Sequence, residues 1–173
     1  KQISQKIKKE LSNWDFDKAI DFSGRNESQT RDFLVEPFFN RVLGYSPMDD
    51  YLHEFSIKVG NTNKKVDMII TLSGKNPDIL IECKASTINL NSHFGQLNEY
   101  CLYQKQVKVG ILTNGVEYRF YSRSYDHNEI LNESPFFVFN LNNYDDSDIN
   151  FLARFFKLGI NLNEILDEAE EIH

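Results

Sequence analysis

The chain has 173 residues, of which 40% are hydrophobic, and its formal net charge is −7. This length can bury one substantial core, whereas a second full domain would be crowded. No run of residues approaches the roughly 18 apolar positions of a membrane span, and two cysteines are too few for a disulfide framework. We therefore expect a single domain over residues 1–173, without a membrane partner, in a reducing cytoplasm.

The net charge alone argues against a nucleic-acid partner, because phosphate binding depends on lysine and arginine. Its distribution changes that conclusion. Residues 1–65 and 66–123 each carry a net charge of +1, whereas residues 124–173 carry −9. The acidity belongs to the C-terminal segment, so a DNA partner stays compatible with the rest. The small positive charge predicts weak or partner-assisted binding.

The pattern of the first 44 residues predicts helices. Residues 3–20 place apolar side chains at helical spacing, with a break near residue 12. A further helix is expected to begin at a cap, Asn26 or Ser28, and to end at Gly44. Pro37 lies within it and predicts a kink or a split into two helices.

Three strands are predicted next. Residues 51–59 alternate between apolar and polar side chains, and a turn leads from them into the next strand. The apolar runs at 64–72 and 78–84 are joined by the turn-forming residues 73–77 and read as a hairpin.

The last of these strands ends in an acid–x–base triplet, Glu82-Cys83-Lys84. Because strand side chains alternate, Glu82 and Lys84 share one face. Asp67 lies on the neighbouring strand, so its carboxylate and that of Glu82 could converge on one Mg²⁺ or Mn²⁺ ion. The backbone carbonyl of Cys83 could complete the ion's shell, and Lys84 could orient a water and stabilise charge on a phosphate. This donor set predicts metal-dependent phosphodiester cleavage.

A strand that ends in Glu-x-Lys can also be a strand that meets solvent with a surface ion pair of little energetic weight. Two observations favour the site. Lys84 is the only lysine of the chain with an acid two residues before it. The triplet also follows the continuous apolar run 79–81, which is typical of a strand buried on both faces.

The remaining pattern predicts a helix after this strand, capped by Asn91 or Ser92 and reaching Gln104. A buried strand at 107–113 follows, so it and the Glu82 strand are expected to be parallel neighbours joined by the helix. Further predicted elements are an Asn114–Gly115 turn, strands at 116–122 and 136–141, and helices at 147–157 and 162–172.

The order of these residues resembles the PD-(D/E)xK nuclease superfamily, with Asp67 at the head of one strand and Glu82-x-Lys84 at the end of the next. The stretch 26–45 resembles the opening helix of the N-terminal nuclease domain of type I restriction enzyme R subunits. The pair Gln96 and Tyr100 resembles the Gln-x-x-x-Tyr motif that follows the active site in that group.

The resemblance implies a restriction-endonuclease-like α/β fold, with a mixed central sheet flanked by helices over residues 20–140 and an acidic helical segment at 145–173. It implies a Mg²⁺-dependent DNA endonuclease, with Asp67 and Glu82 as metal ligands and Lys84 as the catalytic lysine. Gln96 and Tyr100 would support the site or contact DNA.

Two departures from the family pattern stand out. Val66 precedes the first acid where proline is common, and this departure weakens the resemblance little. The chain also has no Gly-x-x-x-x-Gly-Lys-Ser/Thr loop, so an ATP-driven motor or other subunits are expected to be partners.

Several further residues allow more than one interpretation of their role. Glu36 or Glu27 of the opening helix could reach the metal, and Glu36 is preferred because it lies beside apolar side chains. His53 and His93 could act as ligands, although ordinary surface histidines are the simpler reading. A catalytically silent DNA-binding or protein-interaction module is the alternative function.

Overall fold

A computed structural model describes residues 2–23, 26–72, 74, 76–124 and 130–172. Six strands form one mixed sheet that is packed with six helices, so the expected α/β fold is confirmed and agrees with a restriction-endonuclease-like core. The strands are β1 (Tyr51–Val59), β2 (Thr62–Ile70), β3 (Ile79–Cys83), β4 (Val109–Thr113), β5 (Glu117–Ser122) and β6 (Phe137–Asn140). The helices are α1 (Gln2–Asn13), α2 (Phe16–Ser23), α3 (Glu27–Thr30), α4 (Phe94–Tyr103), α5 (Asp146–Leu152) and α6 (Leu162–Ile172).

The strands lie in the sheet in chain order, from β1 to β6. All neighbouring pairs are antiparallel except β3 and β4, which are parallel and are connected through α4. A parallel pair needs a crossover connection of this kind, whereas antiparallel neighbours can be joined by tight turns. The predicted strand–helix–strand arrangement around the acid–x–base triplet is therefore confirmed.

Apolar clusters cover both faces of the sheet. The larger cluster is rich in aromatic residues and contains residues of α1, α5 and α6 and of the helix at 27–42, and the smaller one contains residues of α4. Along β3, Ile79 and Ile81 belong to the larger cluster and Leu80 to the smaller. This alternation explains why the whole strand is buried.

The helix at 27–42 begins as α3 and continues through π-helical turns at Arg31–Val35 and Phe38–Val42. Asn26 caps it, since its side chain accepts a hydrogen bond from the Gln29 N–H at 2.8 Å. Pro37 does not split the helix, because it keeps helical dihedral angles between the two π-helical turns. The helix ends before Gly44, whose φ of +82° suits glycine at that position.

The hairpin of β1 and β2 changes the face it presents to the core at Glu54. Tyr51 belongs to the larger cluster, whereas Ile57, an even number of residues further along, belongs to the smaller one. Glu54 has a φ of +52°, which is unusual for a residue with a side chain. The hairpin beyond this point, residues 55–66, is therefore turned toward α4, and we call it the distal hairpin.

Two of the predicted turns can be compared with the structure. The Asn114–Gly115 turn is confirmed, because the Asn114 side chain accepts hydrogen bonds from the backbone N–H groups of the two residues that follow Gly115. A side chain at Gly115 would collide with Leu34, 2.7 Å from the Cβ position, so this turn packs closely on the helix at 27–42. Ser73 and Lys75 of the other predicted turn lie outside the described residues.

The predicted cap of α4 is wrong. Neither Asn91 nor Ser92 caps the helix, which begins at Phe94 after a 3₁₀ turn at Leu90–Ser92. Asn89 forms the local turn instead, because its side chain accepts a hydrogen bond from the Asn91 N–H at 2.9 Å. Among the described residues, none of the helices is long and apolar enough to cross a bilayer.

Candidate functional site

Two carboxyl groups meet where β2 and β3 lie side by side. Met68 pairs with Ile81 in the antiparallel register, so continuing by one residue puts Asp67 opposite Glu82. The two side chains are hydrogen-bonded to each other, and Asp67 Oδ2 accepts a further hydrogen bond from the Cys83 N–H at 2.7 Å. Glu82 is only 3% exposed. Two acids thus lie side by side, with Glu82 buried and Asp67 half-buried.

The electrostatics of this pair indicate a need for positive charge. Burial raises the pKa of Glu82 to about 9, and the hydrogen bond and charge of Asp67 act in the same direction, while Lys84 opposes them. Buried carboxylates are costly unless they are paired or coordinate a metal. The donors are carboxylate oxygens, and such donors fit a hard divalent cation.

The ammonium group of Lys84 lies just beyond the end of β3. Its Nζ is 3.7 Å from Glu82 Oε2 and donates a hydrogen bond to Gln96 Oε1 at 2.8 Å. Gln96 in turn donates from Nε2 to the Tyr100 hydroxyl, also at 2.8 Å. Gln96 and Tyr100 are one turn apart on α4, so the helix holds the lysine in place through a short relay. We call Asp67, Glu82, Lys84, Gln96 and Tyr100 the paired-acid site.

The Cys83 side chain points to the opposite face and is buried in the larger cluster. Burial raises the pKa of its thiol, so the sulfur is a poor candidate ligand there. Of this residue, the backbone carbonyl is the group that could take part at the site.

The structure brings Glu27, rather than Glu36, to the paired-acid site. Glu27 Oε1 lies 3.7 Å from Lys84 Nζ. Glu36 instead accepts a hydrogen bond from the Tyr51 hydroxyl at 3.0 Å and lies 3.4 Å from His53 Nε2. The two acids therefore have different surroundings, although both belong to the helix at 27–42.

Sequence reasoning did not single out Arg31, one helical turn after Glu27. Burial acts to lower the pKa of this guanidinium, but the hydrogen bond to Asp32 and the charges of Asp32, Glu54 and Asp67 raise it overall. Arg31 is therefore the second basic group, after Lys84, that acts on the acids of this region. Arg31 could have been found from the sequence by its spacing of four residues from Glu27, because residues four apart lie on the same face of a helix.

A second group of possible metal ligands lies further along the same helix. Asp32, Glu36 and His53 each offer a ligand atom, and these atoms lie within 4.8 Å of one another. We call these three residues the helix–strand cluster. His93, the other histidine considered from the sequence, stands at the start of α4 and makes no capping hydrogen bond with its side chain.

The mixed sheet, the crossover helix and the paired acids agree with a restriction-endonuclease-like domain. A family model for the type I restriction enzyme R protein N terminus (HSDR_N) matches residues 26–135, and the chain belongs to this family. The matched range contains every residue of the paired-acid site. Comparisons with curated proteins and with solved structures found no match.

Proposed function

We propose that this chain is a Mg²⁺-dependent DNA endonuclease domain of a restriction-type system. The observation that carries the proposal is the pair formed by the half-buried Asp67 and the buried Glu82, with the Lys84 ammonium 3.7 Å from Glu82. Metal-dependent phosphodiester cleavage requires a carboxylate pair for the cation and a cationic group beside it. Membership of the family supports the same activity.

In this proposal Asp67, Glu82 and the Cys83 carbonyl would hold Mg²⁺, and Mn²⁺ could replace it. The bound cation supplies charge neutralisation at the phosphate and lowers the pKa of a coordinated water. Lys84 orients the attacking water and stabilises the negative charge that develops on the phosphate.

The residues of α4 act through Lys84. Gln96 accepts its hydrogen bond and so restricts the rotamers of a long, flexible side chain. Tyr100 keeps the Gln96 amide in the orientation that presents its oxygen to the lysine. Both are therefore positioning residues in this proposal.

The distal hairpin supports DNA as the substrate. Residues 55–66 contain Lys58, Lys64 and Lys65 and no acidic residue, although the whole chain carries −7. All three lysines are exposed. In the register Ser56 pairs with Lys65, and Lys58 pairs with Asn63, so Lys58 and Lys65 share one face. Lys65 precedes Asp67 by two residues, so this basic segment adjoins the strand position to which phosphates would have to come.

Plasmid cleavage tests the proposal. The purified protein is incubated with supercoiled plasmid and Mg²⁺ or Mn²⁺, and Lys84→Ala is measured beside it. The matched control is Lys108→Ala, because Lys108 is exposed and precedes β4, away from the strand ends that carry the site. We expect cleavage by the parent and the control and a loss of activity in Lys84→Ala. Equal cleavage by all three proteins would remove the catalytic role of the site.

The near-neutral charge of residues 1–123, +2 in total, and the missing motor favour a second candidate, a catalytically silent module that binds DNA or protein. Calorimetry separates the two functions. Binding of DNA without uptake of Mg²⁺ or Mn²⁺ would support the silent module, whereas uptake of one ion that Asp67→Asn abolishes would support the nuclease.

The remaining expectations belong to the same proposal. Residues 1–173 would act as one domain, with DNA and the motor or other subunits of a cytoplasmic restriction complex as partners. Co-purification with such subunits and analytical ultracentrifugation of the complex would test them.

A further inference from the structure

The helix–strand cluster joins two elements of the fold through three different side chains. Asp32 and Glu36 are one turn apart on the helix at 27–42, and His53 reaches them from β1. The three ligand atoms lie within 4.8 Å of one another. Ligands of a bound Zn²⁺ lie roughly 3–3.5 Å apart when each is about 2.0–2.2 Å from the ion, so small side-chain rotations would bring these atoms into range.

The imidazole of His53 gives an independent indication of a ligand. Its Nε2 atom is buried and has no hydrogen-bond partner among the described residues. The atom faces Glu36, with Oε2 3.4 Å away. A buried polar atom without a partner is unfavourable, and the unshared electron pair of a neutral imidazole nitrogen is a metal donor.

Neighbouring groups already hold the two carboxylates. The Tyr51 hydroxyl donates to Glu36 Oε1 at 3.0 Å, and the Tyr51 ring stacks on His53 at 5.7 Å between centroids. Arg31 Nε donates to Asp32 Oδ1 at 3.1 Å, which leaves Oδ2 for another partner. Outer hydrogen bonds of this kind orient the ligands of metal sites.

We propose that Asp32, Glu36 and His53 form a second divalent-cation site, separate from the paired-acid site and suited to a transition-metal ion such as Zn²⁺. Imidazole nitrogen favours Zn²⁺ over Mg²⁺, which prefers an all-oxygen shell. Three protein ligands leave at least one position for water, and Asp32 opens the site to solvent with a side chain that is 49% exposed. Bound metal would fasten the helix at 27–42 to β1. None of its ligands belongs to the paired-acid site, so its metal uptake can be measured apart from DNA cleavage.

The test measures Zn²⁺ uptake in four proteins by equilibrium dialysis with metal analysis. All four carry Asp67→Asn, so that the paired-acid site does not contribute. The first has no other change, the second adds His53→Gln, and the third adds His93→Gln. The fourth replaces the three other histidines, His93, His127 and His173, with glutamine and keeps His53.

We expect the first, third and fourth proteins to bind one Zn²⁺ with similar affinity. His53→Gln should weaken binding at least about tenfold, since even outer-shell changes cost that much at metal sites. The same three proteins should melt at a higher temperature when Zn²⁺ is added, and the second should not. Equal uptake with and without His53, or no uptake by the first protein, would overturn the proposal.

If His53→Gln proves unfolded by circular dichroism, Glu36→Gln replaces it in the same comparison. Co²⁺ then serves as a spectroscopic probe in the unmodified chain. Its visible absorption reports the coordination number and the ligands of the bound ion, and nitrogen ligands and a four- or five-coordinate ion are expected here. We expect this absorption to survive Asp67→Asn and to vanish in Glu36→Gln. The opposite pattern would assign the metal to the paired-acid site and contradict the proposal.

Discussion

The paired-acid site and the helix–strand cluster both contain two carboxyl groups, yet they differ in solvation. The Glu82 side chain is 5% exposed, whereas the side chains of Asp32, Glu36 and His53 are 49%, 30% and 28% exposed. Charge in the first site is costly unless a cation or a proton compensates it, while water reaches the carboxylates of the second. Similar acids therefore imply different requirements for metal.

The largest expected effect comes from Glu82→Gln. We expect DNA cleavage to fall about 100- to 1000-fold, because the cation loses a charged ligand at the reacting phosphate. The melting temperature in EDTA should not fall, since glutamine keeps the size and can donate to Asp67 without burying a charge. Cleavage assays and thermal melts measure the two quantities.

The matched control for this change is Glu164→Gln, an exposed acid at the start of α6. It should leave cleavage and the melting temperature in EDTA unchanged. A Glu82→Gln protein that still cleaves at the parental rate would refute the assigned role of the paired acids.

A smaller effect is expected for Gln96→Ala. We expect cleavage to fall roughly 10- to 100-fold, as is typical when a residue that orients a functional group is removed. The Tyr100→Phe change should reduce cleavage less than Gln96→Ala, because Gln96 keeps its hydrogen bond to Lys84. Single-turnover rates at saturating DNA measure both, with DNA affinity as the companion readout. A loss of DNA affinity without a loss of rate would show that the relay does not position the lysine.

The distal hairpin should affect DNA affinity rather than the chemical step. Replacing Lys58 and Lys65 with serine should lower the salt dependence of binding by about two in slope, since each lost phosphate contact removes roughly 0.9. Fluorescence anisotropy over a range of salt concentrations measures this slope. The control pair is Lys9 and Lys18, two exposed lysines on α1 and α2. Equal slopes for both double variants would contradict a role of the distal hairpin.

The smallest expected effect separates the two acids of the helix at 27–42. Glu27→Gln should reduce cleavage about fivefold or less, because its contact with Lys84 spans 3.7 Å and its side chain is 53% exposed. Glu36→Gln should reduce cleavage less than this, since its contacts are with Tyr51 and His53. Initial cleavage rates decide the order. A larger loss for Glu36 would restore the preference drawn from the sequence.

Much of the fold was predictable because it depends on short spacings. Strand alternation put Glu82 and Lys84 on one face and Cys83 on the other, and burial of Cys83 in the larger cluster agrees with this. The Asn114–Gly115 turn and the parallel pairing of β3 and β4 followed from local patterns in the same way. The start of α4 was missed because Asn89 caps a short 3₁₀ turn at Leu90–Ser92, which delays the helix to Phe94 and leaves it without a side-chain cap.

Along β3, the amino-acid sequence by itself determined which side chains share a face, because residues two apart on a regular strand point to the same side. Tertiary structure alone decided that Glu27 lies at Lys84 and that Glu36 meets His53. The π-helical turns after Thr30 change the phase of the helix, and the positive φ of Glu54 turns β1 beside it. Neither distortion leaves a periodic signal in the sequence, since each changes the phase of an element locally while spacing rules assume a regular helix or strand.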